Sequence, residues 1–355
     1  MKVILFGPGK SIHTHKWALF FKKRGIDIKV VTFFDHFSKK NAGEVETIVL
    51  PKLLPGKLSY LSSTFTLKKI LKEQKPDIFH AHYAASYGFV GALTNYKPYI
   101  VSVWGRDIFE FPKLNGINRR IIRYTFSHAD EICSTSNAMA KETQKYTDKS
   151  IHITPFGVDM NLFKPDPNVR KDKDKTVGIV KSLSDKYGIS DLIRAFAIVY
   201  QESPNVKFLI VGDGPQKTEY ELLAKQLGIN EVITFVGRVA NEQVPKYINK
   251  MDVFCVPSHS ESFGVAAVEA MSCGVPVVVT NVGGLPEVVR ENETGLIVPK
   301  ENPEKLAQAI LTLLRDDKKR KDMGLKGIAH VKENYNWFDN ANKMLQLYNK
   351  VLNKN

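Results

Sequence analysis

The sequence predicts an α/β protein made of two doubly wound, Rossmann-like domains in tandem. Three observations carry that expectation. Strand-length apolar runs alternate with amphipathic helical segments; an interval of prolines and charges, "FKPDPNVRKDKDKT" at 163–176, interrupts the alternation; and 355 residues leave room for two cores of ordinary size.

Taken in order, residues 2–6 ("KVILF") form a short apolar strand ending in Gly-Pro-Gly, residues 15–25 have helical spacing closed by Gly25, and 27–34 form the next strand. An amphipathic helix over 61–76 stops at Pro76. Strands follow at 77–82, 99–105 and 129–136. Beyond the break the pattern restarts, with strands at 175–180, 206–212, 232–237, 253–258 and 275–280 and helices at 189–203, 216–228 and 244–250. A further helix lies inside 257–280. The last segment, 334–355, places Trp337, Phe338, Met344, Leu345, Tyr348 and Leu352 at helical spacing, as a packing helix does. The expected division is 1–165, 166–335, and a terminal helix 336–355 packing back on the first domain. Strands joined by helices of this length form parallel sheets covered on both faces. In such sheets ligands sit beyond the carboxyl ends of the strands, so the expected site is the cleft between the domains.

Charge is unevenly divided. Residues 1–165 hold 25 Lys and Arg against 13 Asp and Glu, leaving 26 against 24 for the rest. A first domain this basic attracts anionic ligands or an anionic membrane surface. Nucleic acid is not expected, because no recognition motif accompanies the charge. No apolar window is long enough to span a bilayer, and the first residues lack the layout of a secretory signal, so the expected location is cytoplasmic, with the inner membrane face as a peripheral site. Residues 52–72 mix apolar side chains with Lys57, Lys68, Lys69 and Lys72, a composition suited to anionic headgroups and equally to a core helix. Cys133, Cys255 and Cys273 lie in apolar surroundings and are expected as buried thiols. No metal-ligand spacing appears; the acids of "DKD" at 172–174 belong to the charged interval and read as solvated.

The stretch "PSHSESFGVAAVEAMSCGVPVVVT" (257–280) carries the chemistry. It reads as helix then buried strand, yet keeps Glu261 and Glu269. With a helix starting near Gly264, the amides of 263–265 are first-turn donors suited to phosphate. The two acids then lie within roughly 80° of one another about the helix axis. A carboxylate beside a diphosphate needs another partner, and sugar hydroxyls supply it. Two acids around one phosphate-binding turn match a nucleotide-diphosphate sugar.

Together, "ESFGVAAVEAMSCGVPVV", "VGGLPEVV" and "ETGLIVP" closely resemble the retaining glycosyltransferases of family 4, which have the two-domain GT-B fold. "DIFHAH", "VSVWGRDI", "ADEICSTS", "ITPFGVDMNLFKP", "FLIVGDGP" and "VITFVGRV" fall in the family's order, so the resemblance spans nearly the whole chain. It implies a metal-independent hexosyltransferase with no cofactor beyond its nucleotide-sugar donor, and with retention at the anomeric carbon. Glu261 is implied to contact the donor sugar and stabilise the developing oxocarbenium, and Glu269 to hold the ribose. Ser262, Phe263, Gly264 and Val265 are implied to contact the donor's phosphate or sugar oxygens, with Gly237 and Arg238 near the base. Lys181 and Lys186 match the basic pair that neutralises the leaving diphosphate. Fixed cations there lower the barrier. Lys181 departs from the family's usual Arg, exchanging a planar fork for a point charge.

The loop "GPGKSIHTH" (7–15) follows the first strand and, through Gly9, is implied to approach the donor. Trp104 stands where many members have His, so no proton relay through that position is expected. His13, His82, Trp104, Arg106 and Asp107 are the acceptor-side candidates, with His15 and His80 nearby. The expected activity is sugar transfer, from UDP or another nucleotide, to a glycan, glycolipid or lipid-linked acceptor in envelope polysaccharide or glycolipid synthesis. The alternatives are a non-catalytic nucleotide-sugar-binding subunit and a GT-B epimerase or phosphorylase.

Overall fold

The computed structural model describes residues 1–52, 54–56, 58–169 and 174–353. Residues 170–173 of the charged interval, with Asp172, and Lys57 of the 52–72 stretch lie outside the described residues. The chain forms two compact units, one of Met1–Pro155 with Ala341–Asn355, the other of Phe156–Asn340.

The first unit is built on a parallel sheet of β1 (Lys2–Phe6), β2 (Asp27–Phe33), β3 (Thr47–Leu50), β4 (Ile78–His82), β5 (Tyr99–Val103), β6 (Glu131–Ser134) and β7 (Ile151–Ile153), in the order β3-β2-β1-β4-β5-β6-β7. The core under it joins Phe6, Phe33, Phe79, Tyr87 and Tyr99. These rings pack edge-on or offset, with Phe6 4.8 Å from Tyr87 and Phe79 5.1 Å from Tyr99 between centroids. Tyr348, in the last helix (Trp337–Leu352), packs tilted with its ring centroid 5.1 Å from that of Phe21 and brings its hydroxyl 2.6 Å from Nδ1 of the buried His80. That contact ties the chain from Ala341 onward to the first unit.

The second unit carries β8 (Thr176–Val180), β9 (Lys207–Val211), β10 (Ile233–Gly237), β11 (Val253–Val256), β12 (Val277–Thr280) and β13 (Gly295–Val298), all parallel, in the order β10-β9-β8-β11-β12-β13. Its core is aliphatic, with Phe196 and Phe208 stacked at 4.5 Å. Helix Ile189–Glu202 presents Ile189, Leu192, Ile193, Phe196 and Val199 to it at helical spacing.

The division falls ten residues before the expected position at 165 and five after that at 335. The reason lies in backbone pairing. Val158 accepts from Trp337 N–H at 3.0 Å and donates to Tyr335 carbonyl at 2.9 Å. Ser272 Oγ donates to Phe163 carbonyl at 2.5 Å, and Asn249 holds both Lys164 carbonyl and Asp166 N–H. The segment expected to link domains is therefore fastened to the second unit as far as Asp166. All three cysteines are buried free thiols, and burial pushes Cys133 and Cys273 up to about 12 and Cys255 higher still. No helix among the described residues is long and apolar enough to cross a membrane.

Candidate functional site

In the second unit the strand order reverses between β8 and β11, and the residues with chemistry leave the carboxyl ends of those two strands. β8 ends at Val180 and delivers Lys181; β11 ends at Val256 and leads into the loop holding Glu261. Lys181 Nζ and Glu261 Oε2 lie 2.5 Å apart, with 15% and 11% of their side chains exposed. This is the position at which doubly wound sheets bind ligands.

Burial works against the Lys181 ammonium, but Glu261, Tyr187 and Glu269 outweigh it and hold its pKa above the ordinary lysine value. Lys181 stays charged, and Glu269 lies near enough to act on it. Lys181 and Lys186 both approach the Tyr187 ring, with Nζ 4.5 and 4.8 Å from its centroid. The structure thus brings Lys181 and Lys186 to one aromatic ring, with Glu261 paired to Lys181 and Glu269 close enough to influence it.

Glycines make this convergence possible by letting backbones touch. Gly212, after β9, has φ +140°, and a Cβ there would sit 1.9 Å from Lys181 carbonyl oxygen. Gly283, after β12, has φ +53°, and its Cβ would lie 1.6 Å from Glu261 carbonyl oxygen. Neither position tolerates a side chain. Gly284 N–H donates to Glu261 carbonyl at 3.2 Å, while His259 N–H donates to Lys186 carbonyl at 2.9 Å and His259 Nε2 sits 2.7 Å from Asp191 Oδ2. The loops after β8, β11 and β12 are therefore fastened to one another.

Helix Val265–Ser272 starts one residue after the expected Gly264, which serves as its N-cap at φ +102°. Its own ladder opens with Ala267 N–H donating to Gly264 carbonyl at 3.0 Å, so the backbone of 264–266 stands ahead of it. Phe263 is buried and packs 5.5 Å from Tyr335; Ser262 is half-buried. Gly237 ends β10 beside the group, its carbonyl accepting from Gly212 N–H at 2.9 Å, and Arg238 follows it, exposed. Sequence reasoning missed Tyr187, which carries no signal beyond its place next to Lys186. It also missed the clasp by Gly212, Gly283 and Gly284, which "VGDGP" and "VGGLP" encode.

In the first unit, His13, His82 and Trp104 come together at the carboxyl ends of the strands. Trp104 lies 4.3 Å from His82 and 5.9 Å from His13, and Thr14 Oγ1 lies 3.3 Å from His82 Nδ1. Burial, with His80 and His13 adding repulsion, drives His82 well below the ordinary histidine value, so it is neutral. Gly9 faces inward: its N–H donates to Thr32 Oγ1 and its carbonyl accepts from Asn41. Asp107 is 3% exposed and accepts from the backbone N–H groups of Ala84, Trp104 and Gly105 at 2.8, 3.2 and 2.8 Å. Burial raises its pKa. Arg106 is exposed and pairs with Glu110 at 2.8 Å; His15 lies 3.5 Å from Glu44. Among the described residues no three His, Cys, Asp or Glu side chains gather as a metal ion would require.

Comparison with known proteins bears on both units. The family described as glycosyl transferases group 1 matches residues 162–330, and that described as glycosyl transferase 4-like matches 2–136. The D-inositol 3-phosphate glycosyltransferase of Corynebacterium efficiens is 30% identical over 78% of this chain and 71% of its own. An uncharacterized glycosyltransferase of Methanocaldococcus jannaschii is 27% identical over 92% and 91%. Among solved structures, the sucrose-phosphate synthase of Thermosynechococcus elongatus covers all of both chains at TM-score 0.86 and 22% identity. Anabaena HepE, solved with UDP and glucose, superimposes over 99% of this chain and 100% of its own at TM-score 0.86 and 20% identity, so the fold is GT-B. With lysines and acids converging at the switch point of its second sheet, and both halves matched in order, this chain belongs to the glycosyl transferases group 1 family.

Proposed function

We propose that this glycosyltransferase moves a hexosyl unit from a nucleotide-diphosphate sugar to an acceptor hydroxyl, with retention at the anomeric carbon and without a metal ion. The observation that supports this reading best is the Lys181–Glu261 pair beside Lys186 and Glu269. In transfer, the bond from the anomeric carbon to the β-phosphate oxygen breaks with its electrons on the nucleotide. The acceptor oxygen bonds to the carbon from the same face and passes its proton to the departing β-phosphate oxygen. Charge grows on the departing phosphate, and Lys181 and Lys186 are the cations that meet it. Glu261, held beside the sugar, stabilises positive charge on the ring, and Glu269 takes the ribose hydroxyls. Ser262, Phe263, Gly264 and Val265 supply the backbone about the phosphates, with Gly237 and Arg238 toward the base.

Donor arrival changes the resting ion pair, because Lys181 then serves both the Glu261 carboxylate and the diphosphate. UDP is the nucleotide to test first, since the Anabaena protein of the same fold was solved with it. The first unit supplies the acceptor side through His13, His82, Trp104 and Arg106, with Asp107 holding the backbone of Ala84, Trp104 and Gly105 behind them. Its basic charge suits a glycolipid or lipid-linked acceptor of envelope synthesis at an anionic membrane.

Glu261→Gln is the decisive variant. It keeps shape and removes charge, so transfer measured by UDP release with an accepted donor and acceptor is expected to fall roughly 10²- to 10³-fold. UDP affinity by calorimetry is expected to stay within a few-fold. Unchanged transfer would refute the role assigned to Glu261, and an inverted anomer in the product would refute retention.

A further inference from the structure

The first unit holds a cavity of about 520 Å³ that the donor chemistry does not use. It lies within the usual range of about 300–1,000 Å³ for small-molecule sites. Leu61, Phe89, Val90, Phe111 and Ile121 wall it. Four of the charged and amide residues at its edge are turned to one another or to the backbone, and the Tyr60 hydroxyl donates to Asp35 at 3.1 Å. Asp107 takes three backbone N–H groups, Asn118 Nδ2 donates to Phe111 carbonyl at 3.0 Å, and Arg106 pairs with Glu110. The space that remains suits a chain without polar atoms.

The rim of this cavity is inverted for a soluble surface. Helix Leu58–Gln74 buries Ser59, Ser63 and Thr64 in its first two turns while leaving Leu58, Leu61 and Phe65 59%, 42% and 79% exposed. Their spacing, i, i+3 and i+7, makes one stripe. Across the cavity Leu114 and Ile117 are 72% and 69% exposed. Leu61 and Leu114 themselves line the cavity, so the exposed apolar surface and the interior are continuous. Exposed cations follow on the same elements: Lys68, Lys69 and Lys72 on the first helix, Arg119, Arg120 and Arg123 on helix Gly116–His128.

We propose that this cavity receives the apolar chain of an amphiphilic acceptor, which enters from an anionic bilayer on which the leucine, isoleucine and phenylalanine rim rests. The inference rests on the sugar-transfer reading above and names its acceptor class. Apolar side chains at the acyl boundary with lysines and arginines at the headgroups are the arrangement of an interfacial surface. Charge complementarity selects the bilayer, since a second copy of this basic unit would bring like charges together.

Alkyl β-glucosides of four, six and eight carbons, below their micelle concentrations, provide the test by calorimetry. Each pair of methylenes is expected to tighten Kd roughly tenfold. Leu61→Asp, which charges a partly exposed wall residue, and Ala85→Phe, which fills the space, are expected to abolish the dependence on chain length. Vesicles containing phosphatidylglycerol are expected to bind the protein in cosedimentation, more weakly at high salt, and Phe65→Ser to reduce binding at least tenfold. A Kd independent of chain length overturns the cavity's role. Glucoside binding without vesicle binding, or a dimer in sedimentation that Phe65→Ser dissociates, overturns the bilayer as the source. Thermal shifts with UDP, GDP and ADP are read on the same samples: the absence of any shift from the unmodified protein strikes the sugar-transfer reading, whereas persistence of the shift in Leu61→Asp confines any failure to the acceptor port.

Discussion

His80 shows what burial does to a single titratable group. It is 1% exposed, flanked by Tyr348 hydroxyl at 2.6 Å and Ser102 hydroxyl at 2.8 Å, and burial drives its pKa down to about 3. The unfolded chain protonates this ring below about 6.5 while the folded chain keeps it neutral. Stability is therefore fully present above that pH and is lost as pH falls toward 3, at about 1.4 kcal/mol per unit. His82 acts in the same direction. His80→Gln is expected to lower stability at pH 7 by about 1–3 kcal/mol through its broken contacts. It is also expected to flatten the slope between pH 6 and 4 by about 1.4 kcal/mol per unit, measured by urea unfolding across that range. An unchanged slope would show that the ring is reached by solvent.

Among the elements, the loops beyond β8, β11 and β12 depend on glycine more than on any side chain. Gly283→Ala would place a methyl 1.6 Å from Glu261 carbonyl, at a φ that L residues seldom adopt. The loop must move, and Glu261 moves with it. Gly283→Ala is expected to cost about 1–3 kcal/mol in urea unfolding and to lower transfer at least tenfold, because the carboxylate proposed to face the donor sugar loses its alignment when displaced by an ångström. Gly228→Ala is the control: its φ is +70° but nothing lies within 4 Å of the added methyl, so a similar backbone strain is expected with transfer unchanged. The same scale shows where periodicity falls short. β3, β7 and β13 were not anticipated, and all three are edge strands of three or four residues. An edge strand has one neighbour and needs no long apolar run. Central β1, β4 and β8, enclosed on both sides, stand out as apolar runs at their observed positions. Helix Leu58–Gln74 buries Ser59, Ser63 and Thr64 in its first turns and Leu67, Ile70 and Leu71 beyond them, and its composition alone does not tell which of its apolar side chains face the core.

At the scale of the whole molecule, two units with separate cores make ligand linkage directional. A nucleotide that binds Phe156–Asn340 stabilises that unit by about 2.7 kcal/mol at a hundredfold excess over Kd, and Met1–Pro155 with Ala341–Asn355 gains only what coupling transmits. In calorimetry with UDP, the transition that moves is expected to be the one lost when the second unit is digested. Equal shifts of both would mean that the units unfold as one.

Legible from the residues alone were the alternation of strand and helix, the duplication of a doubly wound sheet, and the loop and following helix that carry Glu261 and Glu269. These are legible because strand and helix periodicities and turn glycines are local properties of the chain. Only the folded sheet shows that Lys181 pairs with Glu261 from 80 residues away, that both lysines approach the Tyr187 ring, and that Asp107 turns inward to three amides. It also decided that the chain from Phe156 to Asp166 belongs to the second unit. Those outcomes depend on which strand ends lie side by side in the folded sheet, and adjacency across a crossover leaves no mark on the spacing of residues along the chain.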